Sequence, residues 1–191
     1  MTATATSRPK TSSRERILKA AFKRFSQNSY ERTSLRDIAG DVGIDVSYVH
    51  RCFGSKEKLF TEAIRDAADM TDLIAGTPEE IAASMAQRAV SSRPPKGQAL
   101  GIFIHSISSP EALPILRQFV LETAIEPLSG RIGDASARCA TLAMALLTGV
   151  TLFRNVIRVK PFVESDEDEL RALIAGVLGA VLEHQGEGGT T

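Results

Sequence analysis

The chain has 191 residues, of which 43% are hydrophobic, 24% charged and 5% aromatic, a composition that excludes a disordered or fibrous protein. Its formal net charge is zero, yet residues 1–60 carry 12 Lys and Arg against 6 Asp and Glu, and the remainder carries the opposite excess. A basic N-terminal unit on an acidic body is typical of a protein that meets a polyanion with one end. Chance clustering of charge on a solvated face is the plainer alternative.

The cysteines and the hydropathy pattern exclude further classes. Cys52 and Cys139 lie far apart with no paired Cys or His spacing around them, so we expect neither a disulfide, nor a metal, nor another cofactor. The N-terminal residues 1–13 are polar, and the longest charge-free stretch, between Arg138 and Arg154, has 15 residues, fewer than the ~20 that span a bilayer. We therefore expect a cytoplasmic protein with no membrane partner.

Helical spacing of apolar residues dominates and strand signals are nearly absent, so we predict an all-α fold of about nine helices. A disordered basic tail is expected at residues 1–13, followed by a first helix capped by Ser12 or Ser13. Its apolar stripe is Ile17, Leu18, Ala21, Phe22 and Phe25.

Two short helices follow. Thr33 or Ser34 can cap the second helix, which ends at Gly43, and Asp45 can cap a third helix over Val46–Phe53. On this third helix, Val49 and Phe53 are predicted to point inward. The predicted exposed face consists of Ser47, Tyr48, His50 and Arg51.

The C-terminal part is predicted to form one regulatory and dimerisation domain over residues 59–185, with a disordered tail at 186–191. A connector helix capped by Ser55 is expected to continue to Gly76. Further helices are predicted near 78–91, 97–106, 110–125, 134–159 and 165–185. Pro114 should kink or restart its helix, and Ser165 is expected to cap the last one through a capping box with Asp168.

The second and third helices match a helix-turn-helix. Two short helices joined by a turn containing Gly43, within a basic unit at residues 14–58, favour insertion of the second of them into the DNA major groove. A groove about 12 Å wide admits one helix, which explains an exposed face of donors, acceptors and small groups beside a buried apolar face.

The order Phe53-Gly54-Ser55-Lys56-Glu57, together with the segment from Thr33 to Ala39, resembles the DNA-binding domain of TetR-family transcriptional regulators. The similarity covers residues 14–64 and is looser elsewhere. The stretch from Gly149 to Phe162, through Arg154 and Pro161-Phe162, also resembles C-terminal domains of actinobacterial members.

The resemblance implies double-stranded DNA as a partner. Phosphate contacts are implied for Thr33, Ser34 and Lys56, and a base contact for Arg36. Further groove contacts fall on Val46, Ser47, Tyr48 and His50. Because His50, Cys52 and Val46 depart from the residues usual in the family, the operator sequence stays open.

Several of these residues also have simpler interpretations. Tyr48 could pack against the first helix, Arg36 could pair with Asp37 or Glu31, and Cys52 is an inert packing residue unless its thiol is activated. The tail cations Arg8, Lys10 and Arg14 form either a solvated tail or an arm in the minor groove.

The last two predicted helices carry apolar stripes too wide for one neighbour, with small residues that permit close approach. We therefore predict a homodimer built on these helices, and the resemblance implies the same. The predicted interface residues are Leu142, Leu146, Leu173, Gly176, Val177 and Ala180. Two recognition helices related by a two-fold axis would read a near-palindromic operator.

The resemblance also implies a small-molecule effector, although apolar stripes are usually plain core. Candidate lining residues are Met70, Ile74, Met85, Phe103, His105, Leu116, Phe119, Met144 and Phe153. The leading hypothesis is a repressor released from DNA by an apolar or amphipathic ligand, and not an enzyme. The rivals are an effector-independent DNA-binding dimer and a small helical enzyme using His105 with Glu111 or Glu122.

Overall fold

The computed structural model describes residues 12–67, 70–91, 99–132 and 137–184, and all regular structure within these ranges is helical. The all-α prediction is confirmed. In chain order the helices are α1 Ser13–Phe25, α2 Leu35–Val42, α3 Val46–Phe53, α4 Lys56–Ala67, α5 Pro78–Val90, α6 Ala99–Ser106, α7 Ala112–Val120, α8 Glu126–Ser129, α9 Ala137–Thr151, α10 Lys160–Val163 and α11 Glu167–Leu182. Two π-helical turns, Leu121–Ile125 and Leu152–Val156, continue α7 and α9. The predicted tail at 186–191, and residues 1–11 of the N-terminal tail, lie outside the described ranges.

The first two helices begin at reciprocal capping boxes. Ser12 accepts a hydrogen bond from the Glu15 amide while the Glu15 carboxylate accepts from the Ser12 amide, and Ser34 and Asp37 repeat the arrangement at α2. Gly43 ends α2 with a φ of 71°, a left-handed conformation in which a Cβ would be strained.

Two sequence predictions are wrong at helix ends. α4 ends at Ala67 instead of continuing to Gly76, and Met70 begins a separate turn whose Leu73 and Ile74 are buried in a core with α5, α9 and α11. The poor helix formers Thr71 and Asp72 favour this break. At α11 the cap is Asp166, whose carboxylate accepts from the amides of Asp168 and Glu169, while the Ser165 hydroxyl donates to the Pro161 carbonyl.

The prolines are accommodated at helix starts. Pro114 lies in the first turn of α7, where the lack of an amide proton costs nothing, so the helix runs through it and the predicted kink or restart at Pro114 is wrong. Pro127 does not end the helix, contrary to the predicted boundary at residue 125. The preceding π turn widens the spiral, and Pro127 falls in the first turn of α8.

The buried residues form two hydrophobic cores. The head core unites α1 to α4 with the inner faces of α6 and α7, and it contains the ring cluster of Phe25, Tyr30 and Phe60. The body core lies among α5, α8, α9 and α11. Val120 packs against both, so the head and the body meet along α4, α6 and α7.

The segment Ala137–Val156 is long and apolar enough to cross a membrane by length and composition alone, with a mean hydropathy of 1.4. The longest charge-free stretch is shorter than this segment because Arg138 and Arg154 lie near the two ends of the segment. In the fold the segment packs on α5 and α11. The Arg154 side chain is buried there and donates hydrogen bonds to the Val90 carbonyl and the Glu167 carboxylate. Only 22% of its apolar window is buried in the fold, so packing within the chain accounts for a minority of these apolar residues.

Candidate nucleic-acid interface

Helix α3 is presented on the surface of the head by signals at both of its ends. Asp45 caps it by accepting a hydrogen bond of 2.7 Å from the Ser47 amide. Hydrogen bonds from the Ser47 side chain and then from this amide hold the pKa of the Asp45 carboxyl below its usual value. Gly54 ends it with a φ of 80° and donates its amide to the His50 carbonyl at 2.8 Å. The helix is therefore fixed in length and direction by local contacts.

The two faces of α3 are distributed as the sequence predicted. Val49 and Phe53 are buried in the head core, and Val46 and Cys52 pack partly against it. Four side chains point to solvent: Ser47, Tyr48, His50 and Arg51. The segment is thus an outward-facing helix anchored by one apolar face.

Two of the outward side chains form a pair. The Arg51 guanidinium lies 5.5 Å from the centre of the Tyr48 ring, so Tyr48 packs against its own helix face and not against α1. His50 directs its Nδ1 at the Gly54 carbonyl oxygen, 3.3 Å away, and because a carbonyl only accepts, Nδ1 is the donor.

Two arginines that the sequence analysis did not single out brace the helix-turn-helix. Arg16 on α1 donates to the Val42 carbonyl at 2.7 Å, at the C-terminus of α2. Arg24 makes a bidentate contact of 2.6 and 2.7 Å with Asp41, which raises the pKa of the guanidinium and lowers that of the carboxyl. In the sequence, the sign of this bracing role is the spacing of eight residues between Arg16 and Arg24 on α1.

The residues at the start of α2 that are expected to contact DNA differ in how far they are buried. Thr33 is only 1% exposed and its hydroxyl donates to the Ser29 carbonyl at 3.2 Å, so the expected phosphate contact through that hydroxyl is wrong for this arrangement. Ser34 is exposed at the cap, and Arg36 is exposed without an ion pair among the described residues. Arg36 therefore does not pair with Asp37 or Glu31.

Lys56 opens α4 and is partly buried. Its ammonium lies 3.9 Å from the centre of the Tyr30 ring, and burial lowers the pKa of Lys56 although Glu111 and Glu31 attract its charge. The same surroundings raise the pKa of Tyr30 to about 12, chiefly through burial.

The basic arm expected at the N-terminus lies partly outside the described residues, which include neither Arg8 nor Lys10. Arg14 belongs to α1, where it pairs with Glu62 of α4 and covers the Phe53 ring at 4.8 Å from its centre. Arg14 thus joins α1 to α4 instead of extending the tail.

A groove of about 650 Å³ runs between α9 and α11 on the outside of the body. It contains five of the six residues predicted for the dimer interface, and Leu173 at its edge is 64% exposed. The five are Leu142, Leu173, Gly176, Val177 and Ala180, whereas Leu146 packs against the body core.

The nine residues expected to line one effector cavity do not lie together. Phe103, Leu116 and Phe119 belong to the head core. Four belong to the body core or pack on it: Met70, Ile74, Met85 and Met144. His105 and Phe153 are exposed. A single cavity lined by all nine is therefore wrong, since helical spacing does not reveal which core a face belongs to.

Comparison with known proteins agrees with this geometry. Residues 17–63 match the family model for bacterial regulatory proteins of the TetR family, and residues 79–182 match that for the tetracyclin repressor-like C-terminal domain. A sequence comparison with curated proteins found no match.

Solved structures share the fold. A TetR-family regulator from Streptomyces coelicolor A3 superposes with a TM-score of 0.65 at 24% identity, covering 95% of this chain and 100% of that one. A regulator of the same family from a Rhodococcus species gives 0.67 at 13% identity, covering 90% and 100%. NalD of Pseudomonas aeruginosa, the secondary repressor of a multidrug efflux pump, gives 0.60 at 20% identity, covering 85% and 94%.

The braced head with its outward α3 defines a helix-turn-helix regulator that binds DNA. The chain belongs to the TetR family of transcriptional regulators. Because these regulators are non-enzymatic DNA-binding proteins, the alternative of an enzyme using His105 with Glu111 or Glu122 is excluded.

Proposed function

We propose that this protein is a homodimeric repressor that binds a near-palindromic operator in the cytoplasm and leaves it when a small apolar or amphipathic ligand binds the body. The observation that carries the DNA-binding part is the outward face of α3 on a braced basic head. A helix held in this way loses little conformational freedom when it enters the groove.

Two kinds of contact account for the chemistry of the head. Ser34 and Lys56 would contact phosphates and set the position of the head on the duplex. The side chains that would reach base edges are the partly buried Val46 and the exposed Arg36, Ser47, Tyr48, His50 and Arg51. Val46 can contact only a thymine methyl, whereas Arg36 can donate to guanine.

The binding assay is a gel shift with the DNA upstream of the gene at two salt concentrations. Phosphate contacts release counterions, so we expect affinity to fall steeply as salt is raised. A flat salt dependence would contradict the phosphate contacts, and binding without preference for that DNA would contradict an operator.

The apolar groove between α9 and α11 supports dimerisation, because exposed apolar surface of this kind marks an interface. Two such helices from each copy would form a four-helix interface and place the α3 helices about 34 Å apart. Sedimentation should show a dimer that Leu173→Glu converts to a monomer. Ile107→Glu, at a residue of similar exposure on the α6–α7 connection outside the groove, is the matched control.

The effector is proposed to enter the body core where Met70, Ile74, Met85 and Met144 pack. Methionine side chains rearrange at low cost and can make room for an apolar ligand. A ligand that favours the non-binding state by ~3 kcal/mol would weaken operator affinity about 150-fold. A thermal-shift screen of apolar compounds, followed by the gel shift, should find a compound that raises Tm and releases the DNA.

A repressor without an effector is the second candidate, and one observation favours it. Met85 and Ile81 are completely buried, so this part of the body core is already filled. If no compound that raises Tm changes operator affinity, the effector-independent dimer is the better account. A Met85→Ala variant, which opens the core, should then also gain no response.

A further inference from the structure

Two hydrogen bonds join His50 to Gly54 at the C-terminus of α3. The Gly54 amide donates to the His50 carbonyl at 2.8 Å, and the His50 Nδ1 lies 3.3 Å from the Gly54 carbonyl oxygen. Gly54 has a φ of 80°, a left-handed conformation that residues with a Cβ rarely adopt. The two bonds therefore restrict both the rotation of the imidazole and the direction of the carbonyl.

The Gly54 carbonyl determines which nitrogen of the imidazole carries the proton. A carbonyl oxygen has no hydrogen to give, so Nδ1 must be the donor in this contact. A neutral imidazole has a single N–H, and its other nitrogen then has a lone pair. Nε2 of the neutral ring can therefore accept a hydrogen bond but cannot donate one.

This chemistry disfavours a DNA phosphate as the partner of Nε2. A phosphate oxygen only accepts, so it would need a second proton on the ring. His50 is exposed, and no carboxylate of the described residues forms an ion pair with it that would hold such a proton. The neutral ring instead requires a partner that donates.

The major groove offers such donors on two of the four bases. Adenine N6 and cytosine N4 carry amino hydrogens there, whereas guanine N7 and O6 and thymine O4 accept. His50 lies on the exposed face of α3, which also carries Ser47 and Arg51. A side chain on that face that can only accept distinguishes adenine and cytosine from guanine and thymine.

We propose that His50 is a specificity-determining residue: its Nε2 accepts a hydrogen bond from the amino group of an adenine or a cytosine in the major groove. Gly54 is the positioning residue that holds the imidazole in this form. The inference rests on the base contact of His50 in the proposed function and names the chemical group that this contact reads.

The first test needs no DNA. In the free full chain at about pH 8, above the range in which histidine side chains ordinarily titrate, nitrogen NMR should show a protonated Nδ1 and an unprotonated Nε2 for His50. The loss of these signals in His50→Phe assigns them. His105 is the comparison, because it is also exposed but its ring has no hydrogen bond among the described residues, and we expect its proton to be shared between the two nitrogens. A proton on Nε2 of His50 would overturn the proposal.

The second test selects sites from a randomised duplex pool with the parent, His50→Phe and His50→Lys at that same pH. One position of the site should be adenine or cytosine for the parent and unselective for His50→Phe, which has no ring nitrogen. A lysine side chain has donors alone, so His50→Lys should change the preference at that position to guanine.

A base analogue then isolates the amino group. Unsubstituted purine in place of adenine, or 2-pyrimidinone in place of cytosine, removes the amino group at the selected position and keeps the ring. The affinity of the parent should fall by about two- to ten-fold, the range for one hydrogen bond. His50→Phe is the matched control and should bind both duplexes equally.

The outcomes separate this inference from the proposed function. If the parent selects no sequence, operator recognition fails and this inference fails with it. If the parent selects a sequence but His50→Phe weakens binding to all duplexes alike, His50 contacts a phosphate and only the present inference fails. Guanine or thymine at the position that depends on His50, or an analogue effect that persists in His50→Phe, has the same consequence.

Discussion

A Cβ on Gly101 would lie 2.8 Å from the carbonyl oxygen of Ser26, closer than atoms of that kind approach. Gly101 lies in α6 and Ser26 is the C-terminal cap of α1, so this contact joins the body to the head. Glycine within a helix is unfavourable by about 0.5–1 kcal/mol relative to alanine, and close backbone approach explains its use here.

Gly101→Ala should lower the free energy of unfolding by about 1–3 kcal/mol, because the opposing atom is backbone and only a shift of α6 relieves the clash. Gly40→Ala is the control, since Gly40 is also helical but has open space around it. We expect that change to be stabilising by about 0.5–1 kcal/mol. Urea denaturation measures both, and equal effects would refute the close approach.

Arg154 makes a second contact between elements distant in sequence, this one within the body. Its guanidinium donates to the carbonyls of Val90 and Phe162 and to the Glu167 carboxylate, and thus joins the C-terminus of α5 to α10 and to the start of α11. Arg154→Met should destabilise the protein by about 2–4 kcal/mol, because two carbonyls lose their donor.

Arg65→Met is the comparison for Arg154. Arg65 pairs with Glu122 at 3.1 Å between exposed side chains, so its loss should cost under about 1 kcal/mol. Both variants are measured by urea denaturation at the same ionic strength. Similar costs would show that burial of Arg154 adds nothing.

The head could be predicted almost completely because each boundary has a local signal. Ser12, Ser34 and Asp45 are caps, and Gly43 and Gly54 end helices with positive φ. These interactions span two to four residues, so the sequence alone reveals them. The inward and outward faces of α3 follow from helical spacing for the same reason.

The errors at Thr33, at Pro127 and in the effector residues have tertiary causes. Thr33 and Ser34 are chemically similar neighbours, and only the packing of the head decides that Thr33 is buried while Ser34 caps α2. The π turn before Pro127 packs on α9, and Arg154 in the second π turn bonds the Val90 carbonyl and the Glu167 carboxylate, contacts between elements apart in sequence. The assignment of apolar faces to one core or the other, which determines the effector residues, has the same dependence.

The Arg24–Asp41 contact should make the stability of the head depend on pH. Its hydrogen bonds lower the pKa of Asp41, so the contribution is complete above the unfolded value near 3.8 and is lost as the pH falls through the folded value. Asp41→Asn should therefore be less stable than the parent at pH 7, and the difference should be smaller near pH 2. Arg24→Met should behave in the same way, and urea midpoints at the two pH values test this.

The last prediction separates contacts that hold DNA from contacts that read it. Lys56→Ala should weaken binding to all duplexes alike and reduce the slope of log affinity against log salt by about one per lost phosphate contact. Arg36→Ala and Tyr48→Ala should instead relax the preference at particular base pairs, each at a cost of about 1–3 kcal/mol on the preferred site. For Tyr48 the loss also frees the Arg51 guanidinium that packs on its ring, so Arg51→Ala should affect the same base pairs. Selection from a randomised duplex pool with each variant measures these preferences, and identical profiles for all four would contradict the division between phosphate and base contacts.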